Sequence, residues 1–191
     1  MKPGTLLIGK RKSILRSLSS ELTREGIENV WVNNISHILE DIHPADYDLI
    51  VFGRGIEEGQ KKRLREKFRQ QKPDILFVDA LAPIMPLLVS QIKFALNSWA
   101  TPDRYFALLP FEKTTGGLKL NFVLTQQTTL NIELYRLNWF YQLKQQSIML
   151  EHLTTGHHYV TFPGISPRKR DSVFIVVKDP AAVLAVGRPT I

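Results

Sequence analysis

"YDLIVFGRG" (47–55) decides the fold. Asp48 is followed by Leu49, Ile50, Val51 and Phe52, four apolar residues with no alternation. Such a run reads as a strand buried on both faces of a parallel sheet. It stops at Gly53, and "GRG" turns the chain away. In open parallel sheets, ligands and chemistry sit beyond the carboxyl ends of the strands. A glycine therefore stands where a working side chain would be expected.

Working outward, "TLLIG" (5–9), "NVWVN" (29–33) and "DILFVD" (74–79) are runs of the same kind. The segments between them have helical spacing. Ile14, Leu15, Leu18 and Leu22 form one apolar stripe, closed by Gly26, a natural C-terminal stop. Ile35, Ile38, Leu39 and Ile42 form a second stripe ending before Pro44, and Gln60, Leu64 and Phe68 mark a third on the basic stretch 57–71. "PIMPLLVSQIKFALN" (83–97) predicts a fourth helix, with Pro86 tolerable only in its first turn. Strand–helix alternation with short connections predicts a four-stranded parallel sheet with helices on both faces, over residues 1–98.

The period changes after "NSWATPD" (97–103). "RYFALLPF", "GLKLNFVL", "TTLNIELYRL", "YQLKQQSIML", "HHYVTF", "SVFIVVKD" and "AVLAVGR" are seven strand-like runs, several of them alternating, separated by turn signals such as "TTGG" and "KDP". Seven short strands in so short a span predict an antiparallel β-sandwich over 104–191.

Composition narrows the function classes. The 191 residues are 43% hydrophobic and 23% charged, ordinary globular usage. No cysteine is present, which excludes disulfides, thiolate metal sites and thiol nucleophiles. The net charge is +7, with 15 Lys/Arg against 12 Asp/Glu up to residue 98 and 10 against 6 beyond it. A spread excess of this size attracts polyanions without naming one. "MKPGTLLIGKRK" lacks the pattern of a signal peptide, and no stretch approaches the roughly 20 apolar residues of a membrane span. The expectation is a cytoplasmic protein without a membrane partner.

Residues 5–97 resemble the receiver domain of bacterial response regulators, which implies a flavodoxin-like sheet. "DLIVFG" matches the third strand of that family, "TLLIGK" the first and "DILFVDA" the fourth. The resemblance implies a phosphate-accepting aspartate where Gly53 stands, a magnesium-holding acidic pair where Gly9 and Lys10 stand, and a hydroxyl residue where Asp79 stands. A fifth strand and its lysine have no counterpart. Magnesium wants oxygen ligands including carboxylates, and Lys10 opposes a cation with like charge. The resemblance thus implies a receiver whose chemistry has been removed, with "GRG" and "GK" left open as a backbone cradle for an anion.

Residues 109–178 resemble the immunoglobulin-like domain of flagellar hook-capping proteins and the C-terminal sorting domains of Bacteroidetes secretion. Pro110, Phe111, Leu120, Phe122, Leu124, Leu130, Ile132, Tyr135, Gly156, His157, Val160, Phe162 and Gly164 fall on that pattern. "RLNWFYQLK" replaces the family's D-x-x-G turn. The resemblance implies a sandwich that binds, spaces or assembles and does no covalent chemistry.

Candidate sites follow from the remaining residues. His157 and His158 are adjacent, so a strand turns them to opposite faces and they do not share an ion. No Gly-x-Ser-x-Gly elbow occurs, and the pair Glu57–Glu58 serves a helix N-terminus. Neither a metal, a cofactor nor enzymatic activity is expected. The interaction candidates are Arg63, Arg65 and Lys67 on the basic helix 60–71, Arg168, Lys169 and Arg170 in the basic turn 167–170, and Trp139 and Tyr141 within "NWFYQL". The aromatic pair reads equally as a binding anchor or as packing at the domain junction. The leading expectation is a non-catalytic protein–protein interaction or scaffolding protein with a phosphorylation-incompetent pseudo-receiver domain, forming homo-oligomers. The alternative is a nucleic-acid-binding regulator using the basic helix and turn.

Overall fold

In the computed structural model the described residues are 4–35, 38, 42–100, 105–140, 142–164 and 171–188; the side chains of 98–100 and 113 are not among them. The chain divides into two compact units, Met1–Leu96 and Asn97–Ile191, each described by itself.

The first unit is built on four parallel strands, β1 (Thr5–Ile8), β2 (Asn29–Val32), β3 (Leu49–Phe52) and β4 (Leu76–Asp79), in the order β2-β1-β3-β4. This is the flavodoxin-like order, with β1 and β3 central and buried throughout. Because strand residues alternate, Leu6, Ile8, Ile50 and Phe52 face one way. There they pack with Leu64 and Phe68 of α2 (Glu58–Gln71) and with Ile38. Leu7, Leu49 and Val51 face the other way, toward α1 (Lys12–Arg24) and α3 (Met85–Ala100). Both faces are thus covered by helix.

Local signals act as expected. Gly26 ends α1 with φ 73, and the Ile27 N–H donates to the Leu22 carbonyl at 2.9 Å, closing the helix. Pro86 sits in the first turn of α3, where its missing N–H costs nothing. Of the helix expected between Ile35 and Ile42, Ile38 is helical and buried, while 36, 37 and 39–41 lie outside the described residues. No helix is long and apolar enough to cross a membrane, among the described residues.

The second unit is an antiparallel sandwich of immunoglobulin-like form. Its strands are β5 (Phe106–Leu108), β6 (Glu112–Thr114), β7 (Gly117–Leu124), β8 (Thr128–Leu137), β9 (Leu143–Leu153), β10 (Gly156–Pro163), β11 (Ser172–Lys178) and β12 (Val183–Gly187). One sheet runs β10-β7-β5, with β6 also on β7; the other runs β12-β11-β8-β9. Leu118, Leu120, Phe122 and Leu124 meet Leu130, Ile132, Leu134, Val173, Ile175 and Val177 in the core between them.

Among the described residues, eight strands stand where the sequence shows seven runs. "RYFALLPF" (104–111) supplies β5 alone, and the extra strand is β6, which follows it outside the seven runs; both pair with β7, Leu108 opposite Phe122 and Glu112 opposite Lys119. Pro110 falls in the gap, where it cannot donate to a ladder. The register of β9 also slips between Thr128 and Leu130, where His152 takes the left-handed φ of 53. An extra residue opposite a single partner is a β-bulge.

Candidate functional site

The carboxyl end of the parallel sheet gathers Gly9, Lys10, Gly53 and Asp79. At Gly53 the strands β1 and β3 come close together. Its N–H donates to the Ile8 carbonyl at 2.8 Å, and its own carbonyl accepts from Ile56 at 3.1 Å. A Cβ at Gly53 would stand 3.3 Å from the Ile8 oxygen, tighter than an ordinary contact. A side chain at this position would crowd the turn between the two strands. At Gly9 the nearest obstacle is a leucine side chain, Leu15, 3.2 Å from the built Cβ. Lys10 leans over "GRG" and pairs loosely with Glu57 at 3.8 Å.

Asp79 is fully engaged. Its Oδ1 lies 3.2 Å from Lys61 Nζ, and its Oδ2 accepts from Arg65 Nη2. Lys61 is 6% exposed and also meets Glu58 at 2.6 Å, one turn back on α2. Arg65 stands over the rings of Phe52 and Phe77 at 5.2 and 5.8 Å, and Arg69 over Phe77 at 5.2 Å. Such cation–π contacts hold a guanidinium in place. The Asp79 carbonyl accepts from Gln91 Nε2 at 3.1 Å, and Gln91 Oε1 accepts from the Leu81 N–H at 3.1 Å, so α3 clamps the exit of β4. Sequence reading missed Lys61, Gln91 and this use of Arg65. The i, i+4 spacing of 61 and 65 was a visible signal, but their partner lies on another element.

Both Asp79 oxygens are neutralised by α2, and Glu57 and Glu58 are 76% and 79% exposed. No group of three metal-ligating side chains occurs among the described residues.

The other candidates separate. On α2, Arg63 and Lys67 face solvent beside Lys62, whereas Arg65 belongs to the Asp79 lock. Trp139 and Phe140 are 63% and 79% exposed at the β8–β9 turn. Tyr141, Arg168, Lys169 and Arg170 lie outside the described residues. His157 is exposed, while His158 turns inward, bonds the Thr154 carbonyl at 2.7 Å and stacks on Phe122 at 5.5 Å. The two line an open recess of about 350 Å³ with Glu112, Asn121 and Tyr159.

A buried polar network lies on the face of β8 turned away from the sandwich core. Tyr135 Oη donates to Glu133 Oε2 at 2.6 Å, and Lys178 Nζ donates to Glu133 Oε1 at 2.8 Å. Burial raises the Tyr135 pKa above the ordinary phenol value, reinforced by the hydrogen bond and charge of Glu133. Two polar side chains alternating with Ile132 and Leu134 gave the face but not its burial.

No protein-family model matches the chain, and no curated protein matches it. Among solved structures it is similar to an NAD kinase from Archaeoglobus fulgidus in complex with ATP, at 12% identity and TM-score 0.35, over 97% of this chain and 76% of that one. It is also similar to OgpA from Akkermansia muciniphila, at 12% identity and TM-score 0.28, over 98% of this chain and 90% of that one. At these scores neither likeness bears on function.

Proposed function

We propose that the chain is a non-catalytic protein-binding or scaffolding module whose first unit is a phosphorylation-incompetent pseudo-receiver. The engagement of Asp79 by Lys61 and Arg65 carries this reading. A receiver needs carboxylates held open to a divalent cation, and here the one carboxylate at a strand end is closed by two cations. The exposed row Lys62, Arg63 and Lys67 then serves an acidic face on a protein partner, where charge complementarity raises the association rate and fixes register. Self-association belongs to the same reading, through the edge strand β4, whose Leu76, Phe77 and Val78 are only half-buried.

The test is capture of partners from the native host by the wild-type chain and by an Arg63→Glu/Lys67→Glu variant, after nuclease treatment, with mass spectrometry. A stoichiometric protein partner lost in the variant supports the reading. Tight, sequence-selective nucleic-acid binding by purified protein would support the nucleic-acid-binding alternative instead.

A further inference from the structure

We propose that the tip of the β8–β9 hairpin docks on an anionic lipid bilayer surface. This goes beyond the protein-binding reading and does not depend on it. Trp139 and Phe140, two of the most exposed large apolar side chains, are neighbours at the tip, with Leu143 48% exposed at its base. Asn138 and Gln142 tie the two ends of the turn together. Asn138 N–H donates to the Gln142 carbonyl at 3.1 Å, Gln142 N–H to Asn138 Oδ1 at 2.8 Å, and Asn138 Nδ2 to Gln142 Oε1 at 2.9 Å. The aromatics are thus presented outward at a fixed end of the sandwich.

Charge at this end favours anions. Lys144 follows Leu143 and is exposed. Arg188 is exposed too, and reaches Ser172, the register partner of Leu137 at the foot of the turn. The acidic neighbour there, Asp171, has a side chain only 4% exposed and is tied to Arg136 at 2.7 Å. An apolar tip rimmed by exposed cations, on a chain of net charge +7, complements an anionic interface. Trp is suited to that depth, with an apolar body and a polar N–H.

Size separates the bilayer from a protein groove. A stable protein interface takes about 800 Å² from each partner and roughly 20–30 residues. The three exposed apolar side chains described at this tip fall short of that, but suffice for shallow insertion supported by charge.

The experiment pellets the full chain with phosphatidylcholine vesicles, with and without phosphatidylserine, and records tryptophan emission. We expect binding that requires phosphatidylserine and weakens with salt, together with a blue shift. Trp139→Ala/Phe140→Ala should weaken binding about tenfold or more at an unchanged circular dichroism spectrum. Lys144→Gln and Arg188→Gln should each weaken it about fivefold. Trp139→Phe should keep most binding and abolish the shift, leaving only the emission of Trp31 and Trp99, which are not part of the hairpin. The proposal is overturned by no binding, which would leave the tip to a protein partner. Binding unaffected by the double variant, a shift that survives Trp139→Phe, or equal binding without phosphatidylserine would overturn it as well.

Discussion

Replacing Asp79 by Asn tests whether that carboxylate is structural. The substitution keeps the Asp79 backbone, and so the Gln91 clamp, but removes the charge facing Lys61 and Arg65. Breaking a fully buried ion pair by removing one partner costs about 3–5 kcal/mol, whereas an exposed pair is worth about 0–1 kcal/mol. Here Lys61 is 6% exposed, Arg65 26% and Asp79 46%, and Lys61 keeps Glu58 at 2.6 Å. The expected cost is therefore intermediate, about 1–2 kcal/mol. For a unit of this size that lowers the melting temperature by about 4–16 °C. Urea and thermal denaturation of the full chain measure it, with Lys61→Met made both in the wild type and in the Asp79→Asn variant. Removing the ammonium that has lost its Asp79 partner should recover at least half of the loss in the Asp79→Asn variant. Asp79→Asn at wild-type stability, or additive effects of the two substitutions, would refute the lock.

Other outcomes follow from the same geometry. Gly53→Asp, which forces a Cβ to within 3.3 Å of the Ile8 oxygen, should cost about 1 kcal/mol in urea denaturation and gain no phosphoryl group. Tyr135 has a raised folded-state pKa, so its contribution to stability is complete below the unfolded value of 10.0 and is lost as pH rises above it. Tyr135→Phe should therefore flatten the alkaline loss of stability in denaturation curves taken across that range. His152→Gly relieves a left-handed backbone but adds chain entropy to the unfolded state, so its stability should stay within about 1 kcal/mol of wild type in the same assay.

The sheet was legible because its signals are local. Continuous apolar runs at Leu49–Phe52 and Leu6–Ile8 specify strands buried on both faces, and Gly26 and Pro86 punctuate helices through their own backbone chemistry. The sandwich was legible from alternation at Leu118, Leu120, Phe122 and Leu124. The break at Pro110 was visible as a residue but not as an interruption, since a proline at an edge is compatible with a strand. The site was legible only by subtraction. Gly53 and Lys10 stand out in the sequence, yet the pairing of Asp79 depends on Lys61 and Arg65, which reach it from the helix preceding β4. The same limit hid Tyr135, since strand period gives its face but not what covers it.

The most direct test of the proposed pseudo-receiver is incubation of the purified chain with acetyl phosphate and magnesium, followed by intact-mass measurement and by melting with and without the metal. No mass change and a melting temperature indifferent to magnesium are expected, because Gly53 offers no nucleophile and Asp79 is closed by Lys61 and Arg65. A stoichiometric gain of one phosphoryl group, abolished by Asp79→Asn, would contradict this and place live chemistry at the end of β4.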